Sequence, residues 1–344
     1  LMLTTVLSGG LIGLIFGFIL QRTRFCLTGG FRDMYIARNN TLFYAFLIAI
    51  TVESIGVLSL IKLGIIGNPY EEFSVLGAIV GSYLFGIGIV LAGGCATGTW
   101  YRAGEGLLGS WVALFFYMTS AAAMKSGFLV PLNQLIAKRW VINDDLAGQL
   151  GIPVWYFLVF LVAITSFIVI RELRKPRRQI ATLPSKYKGV RHYLFEKTYH
   201  KYFAGFLIGL VALIAWPASQ LTGRVGGLGI TTPSAHLISY IITGDSKQLG
   251  WGVFLVLGIF LGSFLAAKGS REFRWRLPDL STIGKSTLGG IFMGIGASWA
   301  GGCTIGNGLT ATAIFSSKGW IALPVTILGV WTASYIIFVK PNKN

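Results

Sequence analysis

Three cysteines stand out in this chain for their chemistry and their spacing. Two of them close the same motif, Ala-Gly-Gly-Cys, which ends at Cys95 and again at Cys303, and a glycine follows each motif three residues later. The third, Cys26, also follows a long apolar stretch. A thiol offers a weak donor and a polarizable sulfur, and a thiolate is a nucleophile. These residues favour chemistry with a soft, sulfur-containing solute.

The glycines of the two motifs are a second candidate feature. Gly94 and Gly98 flank the first motif cysteine, and Gly302 and Gly306 flank the second. Without a Cβ, such residues let backbone N–H groups approach a solute, and N–H groups near a helix start attract anions. We therefore predict that these four glycines line a solute path. Glycines four residues apart inside apolar stretches instead predict close helix packing, and these are Gly9, Gly13, Gly17, Gly205 and Gly209.

Ionisable side chains near the motifs are weaker candidates. Arg24, Arg32 and Arg102 would either attract an anion or anchor the chain at a membrane interface. Glu53 lies inside an apolar stretch, where a carboxylate is a candidate proton site or an ion-pair partner. Ser234 lies as far before the third cysteine as the first lies before the second, so we predict that it is the counterpart of the first.

The composition places these residues in a membrane. The chain is 54% hydrophobic and only 12% charged, and stretches of about 20 apolar residues recur along it. This pattern predicts an all-α polytopic membrane protein with about nine transmembrane helices. The first stretch lacks a basic leader and a small-residue cleavage site, so we expect a structural helix there. The predicted spans are 3–20, 41–63, 73–93, 106–124, 152–170, 202–221, 248–267, 286–300 and 320–339.

The net charge of +17 comes from lysines and arginines between these spans. The positive-inside rule therefore places the connection 171–201 in the cytoplasm, the N-terminus outside and the C-terminus inside. Contact with anionic membrane lipid follows from this charge, whereas a nucleic-acid role is not predicted. The basic residues of that loop are Arg171, Arg174, Lys175, Arg177, Arg178, Lys186, Lys188, Arg191, Lys197 and Lys201.

Counting spans divides the chain into two halves. Residues 1–170 form the first half, whose fifth span inverts the direction of the chain, and residues 202–344 form the second. The two motifs then enter the membrane from opposite faces, as in an inverted pseudo-twofold repeat. Both lie between spans but are apolar, which predicts short re-entrant helices that line a cavity. Cys303 would receive a solute from outside, Cys95 would be central, and Cys26 would lie towards the cytoplasm.

The segment Arg22-Thr-Arg-Phe-Cys-Leu-Thr-Gly-Gly-Phe-Arg-Asp33, with the two Ala-Gly-Gly-Cys motifs, resembles the YeeE/YedE family of bacterial inner-membrane proteins over nearly the whole chain. It resembles especially the member of that family that takes up thiosulfate. The resemblance implies an hourglass-like protein in which thiosulfate is relayed between Cys26, Cys95 and Cys303 by transient hydrogen bonds. It also implies a small cytoplasmic sulfur-carrier (TusA-like) protein as a partner.

Two other classes of function stay open at this point. A membrane sulfurtransferase or thiol oxidoreductase would form a persulfide or disulfide on the cysteines, but it needs a neighbouring base, and no histidine lies near them in sequence. A permease for a selenium compound or another small anion would use the thiols only for packing. We predict a transporter with no metal and no cofactor, because the spans lack the carboxylate, cysteine and histidine clusters that metals need.

Overall fold

A computed structural model of the protein describes residues 2–174, 189–197 and 199–341. Part of the predicted basic loop, including Lys175, Arg177, Arg178, Lys186 and Lys188, lies outside the described residues. Long apolar stretches form helices because a helix satisfies every backbone polar group within one segment. Helices accordingly dominate the described part of the chain.

The first part of the chain contains nine helices and a small two-stranded sheet. The antiparallel sheet pairs Phe73 with Ile142. The elements are α1 (Met2–Thr23), α2 (Leu27–Ile36), α3 (Thr41–Lys62), β1 (Glu72–Ser74), α4 (Val75–Leu91), α5 (Ala96–Gly104), α6 (Leu108–Ser126), α7 (Val130–Ala137), β2 (Val141–Asn143), α8 (Leu146–Leu150) and α9 (Val154–Leu173).

The second part repeats the alternation of long and short helices. Two π-helical segments interrupt it, Gly306–Ala311 before the last long helix and Tyr335–Val339 after it. The other elements are α10 (Val190–Phe195), α11 (Lys201–Gln220), α12 (Thr231–Thr243), a 3-10 turn (Ser246–Gln248), α13 (Trp251–Gly269), α14 (Leu280–Trp299) and α15 (Ser317–Ser334).

Every predicted span coincides with a long helix. Within the described residues, seven helical segments are long and apolar enough to cross a membrane, or up to eight if α6 and α7, which meet at 72°, count as one. Helix α14 does not meet this criterion, because polar residues such as Lys285 occupy its first turns. The prediction of a polytopic helical membrane protein is confirmed, and the count of nine spans stays a prediction.

Glycines bring several helices into backbone contact. A Cβ at Gly13 or Gly17 of α1 would overlap a carbonyl oxygen of α13, and one at Gly205 of α11 would overlap a carbonyl oxygen of α3. The packing role predicted for these residues is confirmed. Helices α4 and α14 run antiparallel, since Gly81 faces Gly296, and Gly88, later in α4, faces Gly289, earlier in α14. Such small residues let membrane helices approach closely.

The outer surface of the bundle is apolar. Helix α9 packs against α3, where Thr51 and Thr165 share a buried hydrogen bond of 2.9 Å. Its other large side chains, such as Val159, Phe160 and Phe167, are exposed. A single apolar helix with this much exposed surface is suited to hydrocarbon and not to water.

Candidate functional site

The two Ala-Gly-Gly-Cys motifs end two helices in the same way. Helices α4 and α14 end two residues before the first glycine, and Gly93 and Gly301 both adopt φ of +70°. This left-handed conformation favours glycine, so the first glycine of each motif terminates the helix and delivers the cysteine just beyond it. Sequence reasoning selected Gly94 and Gly302 and missed these two, although a glycine directly after an apolar helix is a known stop signal.

Two of the predicted cysteines meet at one glycine. Cys26 precedes α2 and Cys95 precedes α5, so both stand at the start of a short helix. The Cys95 Sγ accepts a hydrogen bond of 3.3 Å from the Gly98 N–H. A Cβ at Gly98 would lie 3.3 Å from the Cys26 Sγ and 3.4 Å from the Cys95 Sγ. Both thiols are buried and neither forms a disulfide, and both lie next to a residue without a side chain.

Cys303 lines a separate cavity of about 360 Å³. Gly302 and Gly306 line the same cavity, and Gly306 faces open space. The Asn307 amide donates hydrogen bonds to the backbone oxygens of Ala300 (2.9 Å) and Gly302 (3.2 Å). This arrangement holds the motif's backbone against the start of the π-helical segment. We name this space the Cys303 cavity.

A second cavity, of about 310 Å³, reaches Cys26 from the other direction. Thr41 and Lys201 line this Cys26 cavity and begin α3 and α11, whereas Pro69 and Arg224 follow the ends of the same helices and line the Cys303 cavity. Helices of 20 residues span about 30 Å. The two cavities therefore open on opposite faces of the bundle.

The Cys26 cavity is basic. Arg24, Arg102 and Lys201 line it together with one acidic residue, Asp33. The Arg102 guanidinium donates to the Gly93 carbonyl oxygen, and the Lys201 Nζ donates to the Thr23 carbonyl oxygen at 2.5 Å. Cations in a partly enclosed space raise the local concentration of anions. Sequence reasoning marked Arg102 and assigned Lys201 only to the basic loop.

The Cys303 cavity has balanced charge. Arg224 and Lys318 line it with Glu71 and Asp144. The Arg224 guanidinium donates to two backbone carbonyl oxygens of the connection before α12, the nearer at 2.9 Å. Asp144 accepts hydrogen bonds from the Ser316 hydroxyl (2.5 Å) and the Lys318 N–H (2.8 Å), and burial raises the pKa of its carboxyl. An anion in the Cys303 cavity is therefore surrounded by less net positive charge than an anion in the Cys26 cavity.

The two weaker arginine candidates separate in the structure. Arg24 lines the Cys26 cavity, and its Nη2 forms an ion pair of 3.1 Å with Glu272. Arg32 binds its neighbour Asp33 at 3.0 Å and stacks over the Phe338 ring at 6.0 Å. Its side chain is 43% exposed and does not line the Cys26 cavity, which fits the anchoring alternative.

The Glu53 carboxylate is hydrogen-bonded to an aromatic side chain. It is fully buried in α3, and its Oε1 accepts a hydrogen bond of 2.9 Å from the Trp216 indole, while no side chain or backbone group of the described residues bonds its Oε2. Trp216 lines the Cys303 cavity. The Glu53 carboxyl therefore contacts a residue of the cavity wall without lining the cavity itself.

Ser234 is buried in the first turn of α12 and has two hydrogen-bond partners. Its hydroxyl accepts from the Trp100 indole at 3.0 Å and donates to the Ile230 carbonyl oxygen at 2.7 Å. One turn earlier, Thr231 accepts from the Tyr117 hydroxyl at 2.8 Å. Sequence reasoning missed these two aromatic residues, whose buried bonds attach α12 to α5 and α6.

A helical membrane protein with charged cavities on opposite faces and buried thiols between them is a transport protein for a small solute. The model of the Sulphur transport family matches residues 22–332, and the chain belongs to this family. It is 53% identical to the Thiosulfate transporter TsuA of Escherichia coli K12 over 343 residues, covering 100% of this chain and 97% of that protein. It is 33% identical to the TsuA of Spirochaeta thermophila, covering 96% and 98%. The Probable transporter YedE of E. coli is 42% identical over 101 residues, which is 29% of this chain and 25% of that protein.

Proposed function

We propose that this protein takes up thiosulfate across the bacterial inner membrane. The anion passes from Cys303 to Cys95 and on to Cys26 by transient hydrogen bonds to its terminal sulfur, and no covalent bond forms or breaks. The observation that carries this proposal is the meeting of two buried thiols at Gly98, between cavities that open on opposite faces. The names of the two full-length relatives support thiosulfate as the solute.

The free energy of dehydration explains why the path needs several successive binding sites, which we call stations. A dianion loses a large hydration free energy when it leaves water, so a dry path must offer donors at each step. Thiols, the N–H groups at the starts of α2 and α5, and nearby cations are such donors. Each station must also bind weakly enough to release the solute to the next. Gly94, Gly98, Gly302 and Gly306 leave backbone exposed along this path.

The orientation of the two cavities follows from the predicted topology. With the connection 171–201 in the cytoplasm and the N-terminus outside, the balanced Cys303 cavity faces outwards and the basic Cys26 cavity faces inwards. The greater positive charge around Cys26 favours the anion at the inner end of the path. The halves 1–170 and 202–344 are related by inversion in this proposal, which the antiparallel contact of α4 with α14 supports.

A cytoplasmic partner would receive thiosulfate at the Cys26 cavity. A small sulfur-carrier (TusA-like) protein that docks over Arg24, Arg102 and Lys201 would receive the anion as it leaves Cys26. The basic character of this cavity supports an acidic docking surface on such a partner.

The proposal is tested by uptake of radiolabelled thiosulfate into proteoliposomes. The parent should accumulate label, and Cys95→Ala should reduce the rate by at least about tenfold, because one station of the path is lost. Cys95→Ser, which keeps a small donor but replaces the soft sulfur, should be intermediate. Equal uptake by the parent and Cys95→Ala would remove the thiols from the path. A covalent mass increase on Cys95 during turnover would instead favour a persulfide step.

A further inference from the structure

A small chamber lies on the far side of the Cys303 motif from the main cavity. Its volume is about 10 Å³, which is room for one water-sized group. Cys303, Gly302 and Asn307 line both this chamber and the Cys303 cavity. The cysteine therefore stands in the wall between a large space and one of single-atom size.

Two buried hydroxyl groups line the chamber without a hydrogen-bond partner. Ser82 in α4 is 1% exposed and Thr304 is 4% exposed. Neither the Ser82 Oγ nor the Thr304 Oγ1 has a partner among the described residues. Buried hydroxyls are nearly always hydrogen-bonded, because an unmet donor in a dry site costs free energy. Two such groups in one chamber therefore indicate a ligand that completes it.

The chemistry of the chamber suits a hydrogen-bond acceptor. Both hydroxyls can donate, and the Asn307 amide nitrogen is already bonded to two backbone carbonyl oxygens. A single oxygen with negative charge accepts two donors at once, and charged acceptors make the stronger hydrogen bonds. The thiol in the same wall suits a soft sulfur atom. The lining thus matches an ion that has a sulfur at one end and oxygen at the other.

We propose that Ser82 and Thr304 form a one-oxygen subsite, which binds a sulfonate oxygen of thiosulfate while its terminal sulfur is at Cys303. The inference rests on the proposed function, because it names how that solute is recognised at the outer station. It assigns the two ends of the ion to two kinds of group, sulfur to the thiol and oxygen to the hydroxyls. A soft anion that lacks oxygen would leave both hydroxyls without an acceptor, and this cost selects against it.

The same pairing of groups recurs at the other two thiols. Thr28 and Thr97 follow Cys26 and Cys95 by two residues, are buried, and have side-chain hydroxyls without a partner among the described residues. Each cysteine therefore has a buried hydroxyl with unmet bonding capacity close by in the chain. This recurrence supports the same assignment at each cysteine, in which the thiol contacts the sulfur of the ion and a hydroxyl contacts its oxygen.

The test compares Ser82→Ala, Thr304→Val and Thr304→Ser with the parent in thiosulfate uptake, at matched protein levels and with melting temperatures recorded. Each of the first two variants should raise KM for thiosulfate by about tenfold, the worth of one charge-assisted hydrogen bond, and change kcat by less than threefold. Thr304→Ser keeps the hydroxyl and should restore KM. Ser334→Ala is the matched control, since Ser334 is equally buried, its hydroxyl has no partner in the described part of the chain, and it lines neither cavity nor the chamber.

The outcomes separate the subsite from the transport proposal. If the parent transports thiosulfate but Ser82→Ala and Thr304→Val keep its KM, the chamber holds only a water molecule and the subsite is wrong. A rise in KM for the Ser334→Ala control of the same size would also overturn it, because the effect would then be global. Should Thr304→Val fail to fold, the KM of Ser82→Ala decides alone. If the parent itself takes up no thiosulfate, the proposed function fails first.

Discussion

Cys26 and Cys95 precede different helices, yet their sulfur atoms lie against the same residue, Gly98. Because the shared residue is a glycine, no side chain at this position covers the two sulfurs. Its N–H also donates to one of the two sulfurs, at 3.3 Å. A solute held by one thiol is therefore already close to the next.

Gly98→Ala should block this transfer. The added methyl group would lie 3.3 to 3.4 Å from both sulfurs, which is close enough to exclude a solute without disrupting the helix. We expect thiosulfate uptake to fall by at least about tenfold, which corresponds to 1.4 kcal/mol of barrier, with little change in melting temperature. Gly284→Ala in α14, where an added Cβ meets nothing within 4 Å, is the control. Unchanged uptake by Gly98→Ala would show that the solute does not pass between these thiols.

The first glycine of each motif should matter for folding and the second for the path. Gly93→Ala and Gly301→Ala place a side chain at φ of +70°, which costs about 1–2 kcal/mol each. Gly94→Ala has room, since its nearest neighbour would be the Arg102 Nη1 at 3.5 Å. Thermal unfolding in detergent should therefore show lower melting temperatures for the first two variants only. Equal melting temperatures for all three would contradict the helix-stop role.

The buried pair of Glu53 and Trp216 predicts a contrast between two substitutions. Glu53→Gln retains an oxygen that accepts from the indole, so we expect stability within about 1 kcal/mol of the parent. Glu53→Ala leaves the Trp216 N–H without an acceptor in a dry site, which costs about 1–3 kcal/mol. Unfolding measurements on both variants test this. Uptake is also measured against external pH. If parental uptake depends on pH and folded Glu53→Gln loses that dependence, the carboxyl carries a proton. If the two proteins have the same pH profile, the carboxyl has a structural role.

The ion pair between Arg24 and Glu272 predicts a salt-dependent effect on transport. The Glu272 carboxylate offsets the charge of Arg24 at the rim of the Cys26 cavity. A hydrogen bond of 2.8 Å from Gln21 also holds this carboxylate. Glu272→Gln should leave that cavity more positive and slow release of the anion, reducing uptake by up to about fivefold, since exposed ion pairs contribute about 0–1 kcal/mol. The difference should shrink at high ionic strength. An effect that persists in high salt would point to a structural cause instead.

Part of the candidate site could be predicted and part could not. The three cysteines and the glycines beside them follow from motif repetition, because Ala-Gly-Gly-Cys encodes a helix end and a thiol in the same four residues. Arg24 and Arg32 looked equivalent in sequence, yet only Arg24 lines the Cys26 cavity. Lys201 belongs to that cavity as well, although it looked like one charge among many in a basic loop.

The sequence by itself determined that this is a helical membrane protein, where its long helices lie and which residues could meet a soft anion. Those properties are local, since hydropathy and the backbone's need for hydrogen bonds act within one segment. Only the tertiary structure decided that Cys26 meets Cys95, that Glu53 binds Trp216 and that Ser82 shares a chamber with Thr304. These contacts join segments far apart in the chain, and their geometry depends on how closely the helices pack, which no single segment encodes.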